Sequence, residues 1–259
     1  MPWGGGIADA HNLQPLRITK TLETMRIDRY LGLTGCCTRT EAKKIIRAGG
    51  VTVNGVAVRS ADAKLDPEED KVVFCGAPVT YRKYTYILMN KPEGVVSATE
   101  DGRDKTVLDL LPGDMRKTDL FPCGRLDKNT LGLMLITDNG ELAHKLLAPK
   151  SHVSKVYRYK SKFPMTAEEA ARFENGLTLE DGYETKPAKI KLDGDGMGGE
   201  ITLVEGKYHQ IKRMLEALDN KITYLERISF GPLLLDETLG RGEWRYLTED
   251  EKNKLEAHK

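Results

Sequence analysis

Cysteine is scarce in this chain, and nowhere is it spaced to hold a metal. The four that occur, Cys36, Cys37, Cys75 and Cys123, include no C-x-x-C pair. Two adjacent thiols do not readily close a tetrahedral site around one ion, so reduced, structural cysteines and no metal are expected. Long apolar runs are missing as well. No stretch approaches the roughly 18 residues of a membrane helix, and the first residues contain no basic segment leading into an apolar one. Neither a membrane partner nor a secretion signal is therefore expected, and the cytoplasm is the default compartment. Net charge is nearly absent, with 40 Lys and Arg against 39 acidic residues for a formal +1. Bulk charge thus selects no polyanionic partner, and any such argument must rest on local charge. A nucleotide cofactor site is not indicated either. Gly194-Asp-Gly-Met-Gly-Gly is glycine-rich, but no Gly-Lys-Ser/Thr follows and two predicted strands flank it, so it reads as a hairpin loop.

What is present divides into two domains. A chain of 259 residues can bury a real core and accommodate one large domain and one small one. Residues 1–24 show no period and read as a flexible N-terminal extension. From Met25 to about Val79 the pattern describes a small α/β unit with a short helix near Ile27 to Leu33, a second helix, and a tight hairpin. Thr38 and Glu41 fit a capping box, Ala42, Ile45 and Ile46 supply an apolar stripe, and Gly49 is placed to end the second helix. Val51-Thr-Val, Asn54-Gly55 and Val56-Ala-Val then form a strong two-residue hairpin signal.

Charge on the second helix is the informative part. Arg39, Lys43 and Arg47 recur every four residues and share a face, with Lys44 beside them. Like charges at that spacing cost an isolated helix a few tenths of a kcal/mol per pair, so something outside the helix should reward them. Residues 25–65 hold eight basic against three acidic side chains, a local net of +5. A phosphate backbone is the natural partner for such a surface, although a solvated basic face has the same pattern.

The charged stretch Asp66 to Asp70 and the polar segment Tyr81 to Tyr84 mark a boundary, giving domains at 25–83 and 84–259. The second domain opens with the apolar strand Tyr86-Ile-Leu-Met, followed by Asn90-Lys-Pro-Glu-Gly. Gly132 to Thr137, Val156 to Tyr159, Ile190 to Leu192, Ile201 to Val204, Ile222 to Leu225 and Trp244 to Leu247 are further predicted strands. Helices are predicted at 141–147, 166–175 and 209–218. The class is α+β, with a mixed, mostly antiparallel sheet in the larger domain.

Within it, Phe121-Pro-Cys-Gly-Arg-Leu-Asp127-Lys-Asn-Thr130-Leu-Gly132 runs from a polar stretch directly into a fully apolar strand. That arrangement holds a carboxylate at the mouth of a pocket on a rigid support. Aspartate is also common in turns before strands, so spacing alone leaves Asp127 open to either reading.

Gly124-Arg-Leu-Asp127 followed by Thr130-x-Gly132-Leu resembles the catalytic signature of RNA pseudouridine synthases. Lys155-Val-Tyr157 is similar to that family's second element, and Glu205-Gly-Lys-Tyr-His209-Gln-Ile-Lys212-Arg213-Met to its third. Leu225-Glu-Arg227-Ile-x-Phe-Gly231 and the terminal Gly242-Glu-Trp-Arg-x-Leu-Thr resemble the branch in which an alpha-L RNA-binding domain precedes the catalytic one. The helix, glycine turn and Val-Asn-Gly hairpin of residues 25–65 resemble that alpha-L domain. The third element is most similar to the RsuA family, which modifies 16S ribosomal RNA.

The resemblance implies isomerisation of uridine to pseudouridine, with ribosomal RNA or a small-subunit assembly intermediate as partner, no cofactor and a monomer. It implies Asp127 as the essential carboxylate, Tyr157 as the aromatic and proton-handling partner, and Lys212 as the cation that keeps Asp127 ionised. Lys212 stands where the family usually has Arg, which loses the planar fork and makes adjacent Arg213 the substitute candidate. Arg125 and Arg213, with Arg39, Lys43, Lys44 and Arg47, are the expected RNA contacts. His209 is expected to position the turn rather than take part in chemistry. Large-subunit RNA as substrate and a non-catalytic ribosome-assembly role remain alternatives, as does a carboxylate glycosidase, for which the motifs supply no second acid.

Overall fold

Local signals in the N-terminal unit act as their chemistry dictates. In the computed structural model, which describes residues 24–113, 115 and 119–257, the chain divides into two units with the boundary between Lys83 and Tyr84. The extension expected at the N-terminus lies, through residue 23, outside the described residues.

In the first unit, β1 (Met25–Arg26) leads into α1 (Ile27–Leu33) and α2 (Arg39–Arg47). Thr38 Oγ1 accepts from the Glu41 amide while the Glu41 carboxylate accepts from the Thr38 amide, a complete capping box. Strands β2 (Val51–Val53) and β3 (Val56–Ala57) are joined by Asn54 and Gly55, both at positive φ, as a two-residue primed turn requires. Then come β4 (Lys64–Leu65), β5 (Val72–Phe74) and β6 (Ala77–Val79). They complete a four-stranded sheet of order β3-β2-β5-β6 and a small β1-β4 pair. Ile27, Tyr30, Leu31, Ala42, Ile46 and Val51 are among the buried core residues.

The second unit is built on a nine-stranded sheet. In chain order it has β7 (Tyr86–Lys91), β8 (Phe121–Pro122), β9 (Leu131–Thr137), α3 (Gly140–Leu147), β10 (Lys155–Ser161), α4 (Ala167–Asn175), β11 (Lys189–Leu192) and β12 (Gly198–Leu203). There follow α5 (Gln210–Glu216), β13 (Ile222–Phe230), β14 (Leu233–Leu234), β15 (Trp244–Tyr246) and α6 (Glu249–Ala257). The sheet order is β11-β12-β10-β13-β9-β7-β15, with β14 on β13 and β8 on β9. Alternate residues of β7 and β9 feed two cores. Ile87, Met89, Met134 and Ile136 pack with Ile211 and Met214 of α5, whereas Leu88, Leu133 and Leu135 pack with Leu142 and Leu146 of α3 and with Leu255 of α6.

One seam sets the site. Strands β9 and β13 are parallel, the other described pairs of this sheet being antiparallel, and they register at only two positions, Glu226 with Leu131 and Arg227 with Gly132. Gly132 has φ +97°, and a Cβ there would fall 2.3 Å from the Arg227 carbonyl oxygen. Only glycine allows this approach.

Two sequence expectations change. The glycine-rich segment does connect antiparallel β11 and β12, but Gly198 and Gly199 belong to the strand. A Cβ on Gly199 would lie 1.9 Å from Lys191 O, so this glycine serves close strand packing. Strand β13 continues five residues past Leu225, through Glu226 and Arg227, because both charges find places described below.

Candidate active site

Asp127 lies in the segment between β8 and β9, and its backbone is fixed from both sides. The Ser97 hydroxyl accepts from the Leu126 amide (3.0 Å) and donates to the Leu126 carbonyl (2.9 Å). Lys91, fully buried at the end of β7, directs its ammonium at the carbonyls of Pro92 (3.0 Å), Asp127 (3.1 Å), Lys128 (3.4 Å) and Thr130 (2.8 Å). Three N–H donors serve four acceptors. Burial is the main influence that pushes Lys91 down to about 8, against the Asp127 charge that favours its protonated form.

The Asp127 side chain projects from this braced loop with a quarter of its surface exposed. Lys212, in the first turn of α5, donates to Asp127 Oδ2 at 2.6 Å and to Asn129 Oδ1 at 2.6 Å. His209 Nε2 lies 3.4 Å from the other carboxylate oxygen. His209 is at φ +50°, immediately before α5, and its ring stacks on Tyr208 with centroids 3.8 Å apart. The turn is held from behind. Gln210 accepts from the Lys207 amide (3.0 Å) and donates to Glu205 (2.5 Å), which in turn accepts from Tyr183 and from the Lys186 amide.

Tyr157 projects from β10, nine-tenths buried. Asp127 and Tyr157 both line two adjoining cavities. The smaller, about 80 Å³, also meets Thr130, Leu203, Ile211 and Leu225; the larger, about 560 Å³, extends past Arg125 and His209 to Lys155 and Arg227. Thr130 Oγ1 is buried and has no hydrogen-bond partner among the described residues. The ensemble offers a cation-paired carboxylate, an aromatic wall and a concave space that is apolar on one side, an arrangement suited to holding a planar base against that side chain.

Residues 85–217 match the RNA pseudouridylate synthase family, and residues 25–72 match the S4 domain. The chain belongs to the RNA pseudouridylate synthase family. It is 42% identical over 228 residues to the ribosomal small subunit pseudouridine synthase A of Vibrio cholerae, covering 88% of this chain and 97% of that one. It is 43% identical over 234 residues to an uncharacterized RNA pseudouridine synthase of Bacillus subtilis, YtzG, covering 89% and 98% respectively. A solved structure described as a pseudouridylate synthase superposes with a TM-score of 0.63 at 35% identity, over 89% of this chain and 99% of that one.

Set on this pseudouridine synthase fold, the sequence-predicted residues separate. Asp127, Tyr157, Lys212 and Arg125 share one site, with Arg125 exposed at its rim. Arg213 does not join them. One position further around α5, it pairs with Asp181 at 2.6 Å, so it cannot substitute for Lys212. His209, expected only to shape the turn, also reaches the carboxylate. In the S4 unit, Lys43, Lys44 and Arg47 are exposed, while Arg39 lies 3.4 Å from the buried carboxylate of Asp28. Part of the reward for Arg39 is therefore internal to its own unit. Lys91 was missed as a site residue; the available signal was a lysine at the end of an apolar strand, where burial is rare.

Proposed function

We propose that this enzyme converts a uridine of small-subunit ribosomal RNA to pseudouridine, in the cytoplasm and as a monomer, with residues 25–83 gripping the RNA and residues 84–259 carrying the reaction. Support for the chemistry is the 2.6 Å contact between Lys212 and Asp127 in a cavity walled by Tyr157. Support for the substrate is the 42% identity to a protein named for the small subunit.

The target nucleotide first leaves its stack, and Arg125, exposed at the rim, enters the vacated space. Asp127, held by Lys212 at one oxygen and with His209 beside the other, then acts on the ribose, at C1′ or at the C2′ proton. The N1–C1′ bond breaks, and the freed uracil turns against Tyr157 in the closed end of the cavity. A new bond joins C5 to C1′, C5 loses its proton, N1 gains one, and the carboxylate is regenerated. Stacking holds the base while the Tyr157 hydroxyl is available for the proton at C5. The balance is that of an isomerisation, in which no electrons are exchanged.

Pseudouridine mapping of ribosomal RNA from cells with and without this protein tests the reading. Loss of one small-subunit pseudouridine is the expected result. Loss confined to large-subunit or transfer RNA, or no loss, overturns it.

A further inference from the structure

Among the described residues, two cations at the far side of the larger cavity have no counter-ion. Arg227 is 2% exposed, and its Nε donates to Leu133 O at 2.8 Å across the β9–β13 seam. Its guanidinium lies 5.1 Å from the centre of the Phe230 ring, with Nη2 no closer than 4.0 Å to the Met134 sulfur. Lys155, half-buried, has its Nζ 5.7 Å from the same ring centre and donates to Val153 O at 2.9 Å. Among the described residues, neither group has a carboxylate within ion-pair distance.

The acidic groups nearby are committed elsewhere. Glu226 pairs with Arg241 at 2.7 Å and with Arg158 at 3.8 Å, Glu205 is occupied by Gln210, Tyr183 and the Lys186 amide, and Asp127 by Lys212 and His209. Withdrawing a charge from water without a partner costs several kcal/mol, and placing two like charges on one ring adds repulsion. Burial, reinforced by Arg227, accordingly pushes Lys155 down to about 8. An ammonium has three donors and a guanidinium five, so most of these N–H groups remain for a ligand. Their cavity is the one that Asp127 and Tyr157 line.

We propose that Lys155 and Arg227 form an anion site within the active cavity that takes a backbone phosphate flanking the target uridine. This rests on the reading of the substrate as RNA. Uracil and ribose are neutral, so the phosphodiester is the anion that such a substrate brings. Engagement of the phosphate fixes the extruded nucleotide at a point remote from the bond that breaks. Lys212 serves Asp127; Lys155 and Arg227 serve the substrate. Because the grip is the same before and after the base turns, it acts on binding rather than on the chemical step.

The test compares uridine with uridine 3′-monophosphate and uridine 5′-monophosphate by isothermal titration calorimetry on the full chain, which requires no knowledge of the RNA target. One monophosphate is expected to bind the wild-type protein about tenfold or more tightly than uridine, the scale of a charge-assisted contact. Lys155→Met should bring the two within about twofold, Lys155→Arg should keep the preference, and uridine affinity should stay the same in both. On RNA, Lys155→Met should raise KM about tenfold with kcat within about twofold, and should make the salt dependence of binding shallower by about 0.7 to 0.9 in log–log slope. The proposal is overturned if the wild-type protein shows no preference for either monophosphate, if neither binds at millimolar concentration, or if Lys155→Met melts like wild type yet keeps the preference. Should Lys155→Met melt early, Lys155→Gln replaces it, and the wild-type comparison by itself still decides against the site if the preference is missing. A missing preference leaves the ribosomal RNA assignment untouched, and a failed RNA mapping leaves the mononucleotide result standing.

Discussion

Two aspartates in this molecule are held by cations, to opposite ends. Asp28, in the S4 unit, has no exposed side-chain surface and is closed in by Arg26, which contributes two hydrogen bonds of 3.1 and 2.9 Å, and by Arg39. Asp127, in the synthase unit, keeps a quarter of its surface open to a cavity while Lys212 and His209 approach from one side. A carboxylate whose lone pairs are spent on a closed ring of donors is a structural joint; one held from one side only remains available to an incoming atom. Openness of the carboxylate to the cavity distinguishes the two, more than the presence of a salt bridge does.

Asp127→Asn is the strongest way to break this contrast. Loss of the charge should reduce single-turnover pseudouridine formation by about 10³-fold or more, in the range assigned to essential acid–base or nucleophilic groups, with RNA affinity and melting temperature near wild type. Turnover within tenfold of wild type would remove Asp127 from the chemistry. Lys212→Met should lower kcat about 10²-fold through the partner of that charge, and Lys212→Arg should recover part of the loss because the charge survives. Equal kcat values in all three proteins would show that the 2.6 Å contact does no more than shape the loop.

Asp28→Asn should leave kcat unchanged and cost about 1.5 kcal/mol of stability, measured by denaturant titration. The sign follows from the Arg26 hydrogen bonds, which hold the Asp28 carboxyl below its ordinary value of 3.8. A depressed carboxylate contributes stability that is present above the unfolded value and lost as pH falls through the folded one, so wild type should weaken below about pH 4. The Asn variant should lack that component of the slope; an identical acid profile would show that Asp28 is not a joint. The smallest effect should come from replacing Lys43, Lys44 and Arg47 by Gln, which spares Arg39 and therefore Asp28. RNA affinity should fall about tenfold and the log–log salt slope by about 2 to 3, with no change in kcat at saturation. An unchanged slope would remove this helix face from the RNA interface.

Local order was readable from the chain because local chemistry determines it. The Thr38–Glu41 capping box and the Asn54-Gly55 turn each close within a few residues, and both are present where the pattern indicates. The proximity of Lys212 to Asp127 was reached only through motif resemblance, since 85 residues separate them and no periodicity spans such a gap. Lys91 escaped notice because the carbonyls that satisfy it lie up to 39 residues downstream and leave no mark on its own neighbourhood. Arg213 misled for the opposite reason. Adjacency to Lys212 in sequence becomes divergence on a helix, where each residue turns by about 100°, and the guanidinium meets Asp181 instead.

The narrow seam at Gly132 also has a kinetic meaning. Arg227 and the Leu133 carbonyl it meets are 94 residues apart, whereas β7–β9 on one side and β10–β13 on the other are held mostly by antiparallel pairings of their own. Closing so long a loop for two registered positions costs chain entropy before it returns contact energy, so the seam should join late in folding. The cavity that surrounds Asp127 straddles that join. A chain whose two sub-sheets have formed but not yet joined would then have no place for a nucleotide, which couples acquisition of RNA-modifying capacity to the last long-range closure of the fold.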